Sequence, residues 1–381
     1  MTDRTAGNPS RSSRSHAPSR GLSTPRGQSQ FLMFVVGVAL IAATLIAYFP
    51  ALQSGYIWDD DEYLTKNPLL HTTAGLRAIW FTLGATPQYY PMVFTTFWVE
   101  HKLWGLNPAG YHAVNVLLHA VSALLLWRIL LRLKVPGALL GACVFALHPL
   151  QVESVAWITE RKNILSGLFY FLALRAYLKF DPIDRPESRQ GVHLPYYLLA
   201  LVFFAAALFS KTVTCSLPVV ILLVYWWKRD KLRPVHFVGL IPMLLLGLVM
   251  ARVTMMMEHE VVGTSKIPLG LDAMGRVLLA GRAIWFYLSK VVWPHPLIFF
   301  YEKWPIDTRD WIQYLYPAAV LAVVTCLWLA RRRIGKAPLV AALFFIATLF
   351  PALGFVDVYP MRFSWVADHV PYLPGIGPIV A

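Results

Sequence analysis

Residues 58–62 read Trp58-Asp59-Asp60-Asp61-Glu62, four consecutive carboxylates a few residues beyond an uncharged apolar run long enough to cross a bilayer. A carboxylate beside hydrocarbon is costly to keep, so acids at a membrane face are read first as functional groups. The chemistry that suits them is general-base catalysis, in which a carboxylate takes the proton of an acceptor hydroxyl as that oxygen attacks an electrophilic carbon. Repulsion between adjacent carboxylates raises at least one pKa and helps a base work near neutrality. A solvated loop carrying a helix cap explains the same residues, and pattern alone leaves both readings open. Hard cations also take carboxylate oxygens, but the run lacks a calcium-loop pattern, so metal use stays undecided and no cofactor is specified.

The elements that must position these acids are membrane spans. Of 381 residues, 57% are hydrophobic and 14% charged, with a mean hydropathy of +0.55; soluble domains carry about a quarter charged residues. The formal charge of +14 is spread in short basic clusters between apolar runs, as the positive-inside rule produces, so the partner is lipid and not nucleic acid. Cys143, Cys215 and Cys326 lie in or beside apolar runs, without the paired spacing of a disulfide framework or zinc site. Residues 1–30 are rich in Ser, Arg, Pro and Gly, with five arginines against one aspartate. Such a tail buries no core and is expected to be disordered and cytoplasmic. The apolar run after it exceeds a signal-peptide core of about 7–15 residues and is taken as a retained first span.

Runs of about 20 apolar residues, or somewhat fewer in a bundle, are candidate spans, and they fall at approximately 31–50, 111–131, 136–153, 163–180, 194–210, 213–227, 235–256, 313–330 and 337–356. Threaded from a cytoplasmic start, every basic cluster lands on the inner side: Arg128, Arg132 and Lys134; Arg175, Lys179, Arg185 and Arg189; Lys228, Arg229, Lys231 and Arg233; then Arg331 to Arg333 and Lys336. Residues 274–300 are apolar enough to span, yet crossing would put the Arg331 cluster outside. A peripheral or re-entrant helix held by Trp285, Trp293 and Phe299 at interface depth fits better, with two closely spaced crossings as the alternative. The reading is therefore an all-α polytopic membrane protein. Its external face carries a first loop at 51–110, turns at 154–162 and 210–213, a segment at 257–312 and the tail from 357.

An acid pair directly after the first span suits a transferase with a lipid-linked phosphate donor. Its anionic leaving group stays in the lipid and needs cations at the same depth. Arg161, Lys162, Lys211 and Arg362 lie on the correct side. His112, Asn115, His119 and Ser122 share one face of the second span. Interhelical hydrogen bonding outranks catalysis for His119 and Ser122, while His112, nearer the external end, is a weaker candidate for the donor phosphate. His148 and Glu153, at the end of the third span, read equally as a snorkelling helix end or as phosphate and acceptor contacts. Trp80, Phe81, Tyr89 and Tyr90 suit stacking on a sugar or acceptor peptide, though an aromatic belt explains them as well.

Three strings carry a resemblance: Trp58-Asp59-Asp60 through Asn67-Pro68, Gly105-Leu106-Asn107-Pro108 through His119, and His148-Pro149-Leu150-Gln151-Val152-Glu153 through Thr159-Glu160-Arg161-Lys162-Asn163. Weaker matches continue through Trp293-Pro294 and Ala367-Asp368 to Tyr372-Leu373-Pro374. The chain after residue 30 resembles the membrane region of bacterial tetratricopeptide-repeat membrane proteins and is similar to the transmembrane O-mannosyltransferases that target cadherins, in the GT-C glycosyltransferase superfamily. The resemblance implies a GT-C-like helix bundle in a bacterial inner membrane, with its active face external and a polyprenyl-phosphate sugar as donor. It further implies inverting transfer to a protein or glycan hydroxyl, with Asp59 or Asp60 as the base. It also implies further spans and helical repeats beyond Ala381, so that a fragment or a shortened homologue is expected. Two positions depart from the family pattern: its usual Ala-Asp-Arg-Tyr reads Ala367-Asp368-His369-Val370, and its Arg-Pro-Leu reads Tyr90-Pro91-Met92. A non-catalytic scaffold derived from such an enzyme is the alternative; a transporter is disfavoured, because paired interrupted helices are not evident.

Overall fold

Prolines open many of the helices, because proline's fixed φ suits a first turn, where its missing N–H leaves no bond unmade. The computed structural model describes residue 2 and residues 26–183, 193–229, 232, 234–260 and 270–381, and these form helices with no strand among them. In chain order the helices are α1 Arg26–Ala47, α2 Thr73–Phe81, α3 Pro91–Trp104, α4 Pro108–Arg132, α5 Ala138–Leu147, α6 Val152–Ala156, α7 Arg161–Phe180 and α8 Leu194–Leu208. There follow α9 Leu217–Lys228, α10 Pro234–Val238, α11 Ile241–Glu260, α12 Ala273–Val292, α13 Leu315–Ile334, α14 Ala337–Leu349 and α15 Ile376–Val380. The described part of α1 up to Ala39 forms one unit, and the described residues from Leu40 to Ala381 form a second.

Segments Gln30–Ala47, Pro108–Arg132, His236–His259 and Trp311–Ile334 are long and apolar enough to cross a membrane. The segment expected as the third span, 136–153, is not one continuous helix. Helix α5 stops at Leu147, and the chain resumes through Pro149–Ala156 at an angle of 52°. The cause is Pro149, which disfavours helical geometry at the preceding residue; His148 accordingly adopts an extended φ/ψ of −67°/130°. Shorter apolar helices stand over the spans expected near 194, 213 and 337. The segment expected as a peripheral helix over 274–300 is helical only to Val292, and Trp293 to Tyr301 run irregularly. Within it the Trp285 indole donates to the Tyr316 carbonyl at 3.0 Å.

Within the second unit α7 is buried along most of its length, packed by α4, α8 and α9. Two apolar clusters flank its N-terminal end. One joins the first loop to the bundle through Tyr63, Leu64, Phe94, Phe97, Tyr111 and Ile158. The other joins α12 and α14 to the C-terminal segment through Leu279, Tyr287, Phe345, Met361, Trp365 and Val366. The expected inner-side basic residues gather at the opposite end of α7: Arg132 donates to the Leu178 carbonyl, Arg229 pairs with Asp181 at 2.7 Å, and Lys336 reaches the Trp226 carbonyl at 3.0 Å. Of the expected tail over residues 1–30, residues 1 and 3–25 lie outside the described residues, as do Arg185, Arg189, Lys231, Arg233 and residues 261–269.

Candidate functional site

The acid run begins at a tight turn. Trp58 has φ of +50°, a left-handed conformation that is unfavourable for a bulky side chain and tends to persist at functional sites. The turn closes on itself, because the Asp60 N–H donates to the Ile57 carbonyl at 3.0 Å while Asp60 Oδ2 accepts the Ile57 N–H at 2.9 Å. Asp60 Oδ1 accepts the Thr159 N–H at 3.0 Å. Asp59 Oδ1 accepts the Thr159 hydroxyl, and its Oδ2 stands 3.7 Å from Lys162 Nζ. The pair is therefore docked on a turn 99 residues away. Its members differ: Asp60 is fully buried with both oxygens engaged, whereas the Asp59 side chain is 23% exposed. Burial raises the Asp60 pKa, two backbone N–H groups lower it and the Asp59 charge raises it again, leaving it pushed up to about 6. Asp61 pairs instead with Lys66 at 2.6 Å on the surface, and Glu62 is exposed.

The receiving turn, residues 155–161, is held from α4 and α3. Asn115 donates its amide to the carbonyls of Val155 and Trp157 at 3.2 and 3.1 Å and accepts from Arg161 Nε. The Arg161 guanidinium, fully buried, also reaches both oxygens of Glu100, the Thr96 hydroxyl and the Tyr111 carbonyl. All its N–H groups are thus spent inside the protein. Expected as a phosphate ligand, Arg161 is placed where it clamps the first loop to α7.

Glu160 is the hub that the pattern of charges did not single out. Its carboxylate is 1% exposed and lies 2.8 Å from Lys162 Nζ, 3.5 Å from Lys211 Nζ and 2.6 Å from Asn163 Nδ2. Burial pushes its pKa up, but His369, Lys162 and Lys211 push it down and win, holding it well below the usual carboxylate range. Burial lowers the Lys162 pKa, yet Glu160, Tyr63 and Asp59 raise it above its ordinary value. For Lys211 burial prevails over Glu160 and its pKa falls; its ammonium also donates to Asn163 Oδ1 at 2.5 Å. His369 Nδ1 meets Glu153 at 2.8 Å and its Nε2 stands 3.9 Å from Glu160. Four expected residues, Asp59, Lys162, Lys211 and Glu153, thus join one charged network from four parts of the chain.

Others stand apart from it. His148 caps the broken helix, its Nδ1 accepting from the Leu150 N–H at 3.2 Å and its Nε2 facing the Val291 carbonyl at 3.0 Å. His112 is buried with neither ring nitrogen in a well-formed hydrogen bond. His119 bridges Tyr372 and the Ala146 carbonyl at 2.9 and 3.1 Å. Arg362 is exposed, lies over the Phe363 ring and makes no ion pair among the described residues. Phe363 is part of an aromatic wall, with ring centroids 5.8, 5.1 and 5.7 Å from the Trp58 ring for Phe363, Phe300 and Phe299. No local periodicity could have predicted that wall. Of the loop aromatics, Tyr90 is buried, Trp80 is half-buried and Phe81 is exposed. A second buried acid, Asp368, accepts from the Tyr301 hydroxyl at 2.8 Å, and burial pushes its pKa up to about 6. Among the described residues no group of three His, Cys, Asp or Glu side chains is arranged to hold a metal ion.

No family model and no solved structure matches the chain. Among curated proteins it is similar to protein O-mannosyl-transferases. Protein O-mannosyl-transferase TMTC2 of Mus musculus is 33% identical over 157 residues, which is 40% of this chain and 18% of that protein. Protein O-mannosyl-transferase F38B6.6 of Caenorhabditis elegans is 28% identical over 173 residues, 42% of this chain and 25% of that protein. Protein O-mannosyl-transferase TMTC4 of Homo sapiens is 25% identical over 191 residues, 44% and 25% respectively. The chain thus spans between 18% and 25% of the length of these relatives.

Proposed function

We propose that this chain is the membrane portion of an inverting glycosyltransferase that moves a sugar from a polyprenyl-phosphate donor to a protein hydroxyl at the external membrane face. Asp59 is the base. Its carboxylate is partly open, seated on the Thr159 hydroxyl and beside Lys162, and this one observation carries the reading. The acceptor oxygen attacks the anomeric carbon, its proton passes to Asp59, and the carbon–oxygen bond to phosphate breaks with its electron pair leaving on the phosphate. One displacement inverts the anomeric centre. Asp60, buried and doubly bonded to backbone N–H groups, is a positioning residue that holds Asp59 against the 158–162 turn.

The leaving phosphate needs positive charge that is not fully spent inside the protein. Arg362 supplies it, exposed beside the aromatic wall, together with Lys162 and Lys211, which Glu160 keeps in place. Similarity to protein O-mannosyl-transferases makes a protein the preferred acceptor and mannose the first sugar to try.

The test is glycosyl transfer from a panel of polyprenyl-phosphate sugars by wild type, Asp59→Asn and Asp60→Asn. Loss of a general base costs about 10²–10⁴-fold in rate, expected for Asp59→Asn. Equal product from all three proteins would sink the base assignment, and no product from any of them favours a non-catalytic scaffold.

A further inference from the structure

The bundle end opposite Asp59 carries a cavity of about 200 Å³ between the last turns of α4 and α7, lined by Arg128, Arg132, Arg175 and Lys179 over a floor of Ile129 and Leu178. We propose that this cavity binds the phosphate of an anionic lipid headgroup. The plainer account is that cations sit at helix C-termini because the helix dipole favours them there, and Arg132 does donate to the Leu178 carbonyl. Charge decides between the two. Two helix ends supply roughly one negative charge between them, whereas Arg132, Arg175 and Lys179 carry three and form no ion pair among the described residues. Asp181, the nearest acid beyond α7 in sequence, is held by Arg229 and stands 3.5 Å from His236. Among the described residues Arg132, Arg175 and Lys179 have no acid paired with them, and an anion from outside the chain can complete the balance.

Size and surroundings identify the anion. Ligand pockets for drug-sized molecules run to about 300–1,000 Å³, so 200 Å³ suits a phosphate group and not a whole sugar nucleotide. Helix α4 is apolar enough to span, and Leu131 beside the cavity is exposed, so acyl chains can lie along the helix while the phosphate meets the cations. Basic pockets between membrane helices recognise anionic headgroups in this way. Inorganic phosphate offers the same chemistry without the acyl chains.

The experiment is native mass spectrometry of the full chain in detergent, supplied with phosphatidylglycerol or phosphatidylcholine. The unmodified chain is expected to retain phosphatidylglycerol preferentially, and this comparison needs no variant. Each cation near a membrane surface strengthens attraction to anionic lipid by about fivefold. Arg132→Gln and Lys179→Gln should each weaken retention by that factor, with an unchanged gel-filtration profile, and the double variant by about 25-fold. Equal retention of the two lipids overturns the proposal, as does undiminished retention by all three variants. Displacement of the lipid by millimolar inorganic phosphate, with no headgroup preference left, assigns the cavity to a soluble anion and overturns the lipid assignment.

Discussion

Glu160→Gln removes one charge and changes almost nothing in shape, so its consequence follows from the contacts of that carboxylate. Lys162 at 2.8 Å and Lys211 at 3.5 Å both lose their principal counter-charge while remaining buried. Lys162 keeps only Asp59 at 3.7 Å, and Lys211 keeps the neutral Asn163. Removing one partner of a buried ion pair typically costs about 3–5 kcal/mol, because the other charge stays desolvated. For a domain of moderate size that is on the order of 10 °C in Tm. The assay is the fraction of purified protein that stays monodisperse in detergent after heating, for wild type, Glu160→Gln, Lys211→Met and the double variant. Taking away the stranded cation should restore part of the loss, with a coupling of about 0.5–3 kcal/mol. The double variant is therefore expected above Glu160→Gln alone. A double variant whose loss is the sum of the two single losses refutes the hub. The pH dependence gives a second check. The folded Glu160 pKa is depressed below 4.5, so its stabilisation is present above the unfolded value and is lost only as pH falls through the depressed one. The gap between wild type and Glu160→Gln should not narrow from pH 7 to pH 5, and narrowing in that interval would contradict the arrangement.

Arg161→Lys loses the two-pronged contact with Glu100 and leaves that buried acid under-bonded; a loss of about 3 kcal/mol is expected in the same heating assay, against little change for Arg362→Lys. Asp60 has its folded pKa raised to about 6 from 3.8, so its stabilising contribution is present below the unfolded value and is lost as pH rises through about 6. Transfer that needs the ionised pair should fall on the acid side of about pH 6, and a limb unchanged in Asp60→Asn would show that another group sets it. Gly281 faces Pro317, whose backbone nitrogen and Cδ would lie 2.6 Å from an added Cβ; Gly281→Val should force α12 from α13 at a cost of about 1–3 kcal/mol, read by heating.

Helix class, the apolar segments and the acid pair were all legible because each is written locally, in residue type, in runs of apolar side chains and in proline or glycine at helix ends. The break at His148-Pro149 carried its own local signal, which the length of the apolar run masked. Charge type also placed Lys162 and Lys211 at the same end as Asp59. Their order of importance was not legible. Arg161 and Lys162 are neighbours of the same sign, yet one faces Glu100 across 61 residues in a sealed pocket while the other faces Glu160 and Asp59.

By itself the sequence determined that the chain is a helical membrane protein with acids after its first apolar run. Only tertiary structure decided that Asp59 stays partly open while Asp60 is sealed, that Glu160 gathers two lysines, and that Trp58 and Phe363 share a wall. The reason is physical. Helix period and proline geometry act within a few residues, whereas the burial that separates one carboxylate from the next depends on segments about 100 residues apart meeting in space.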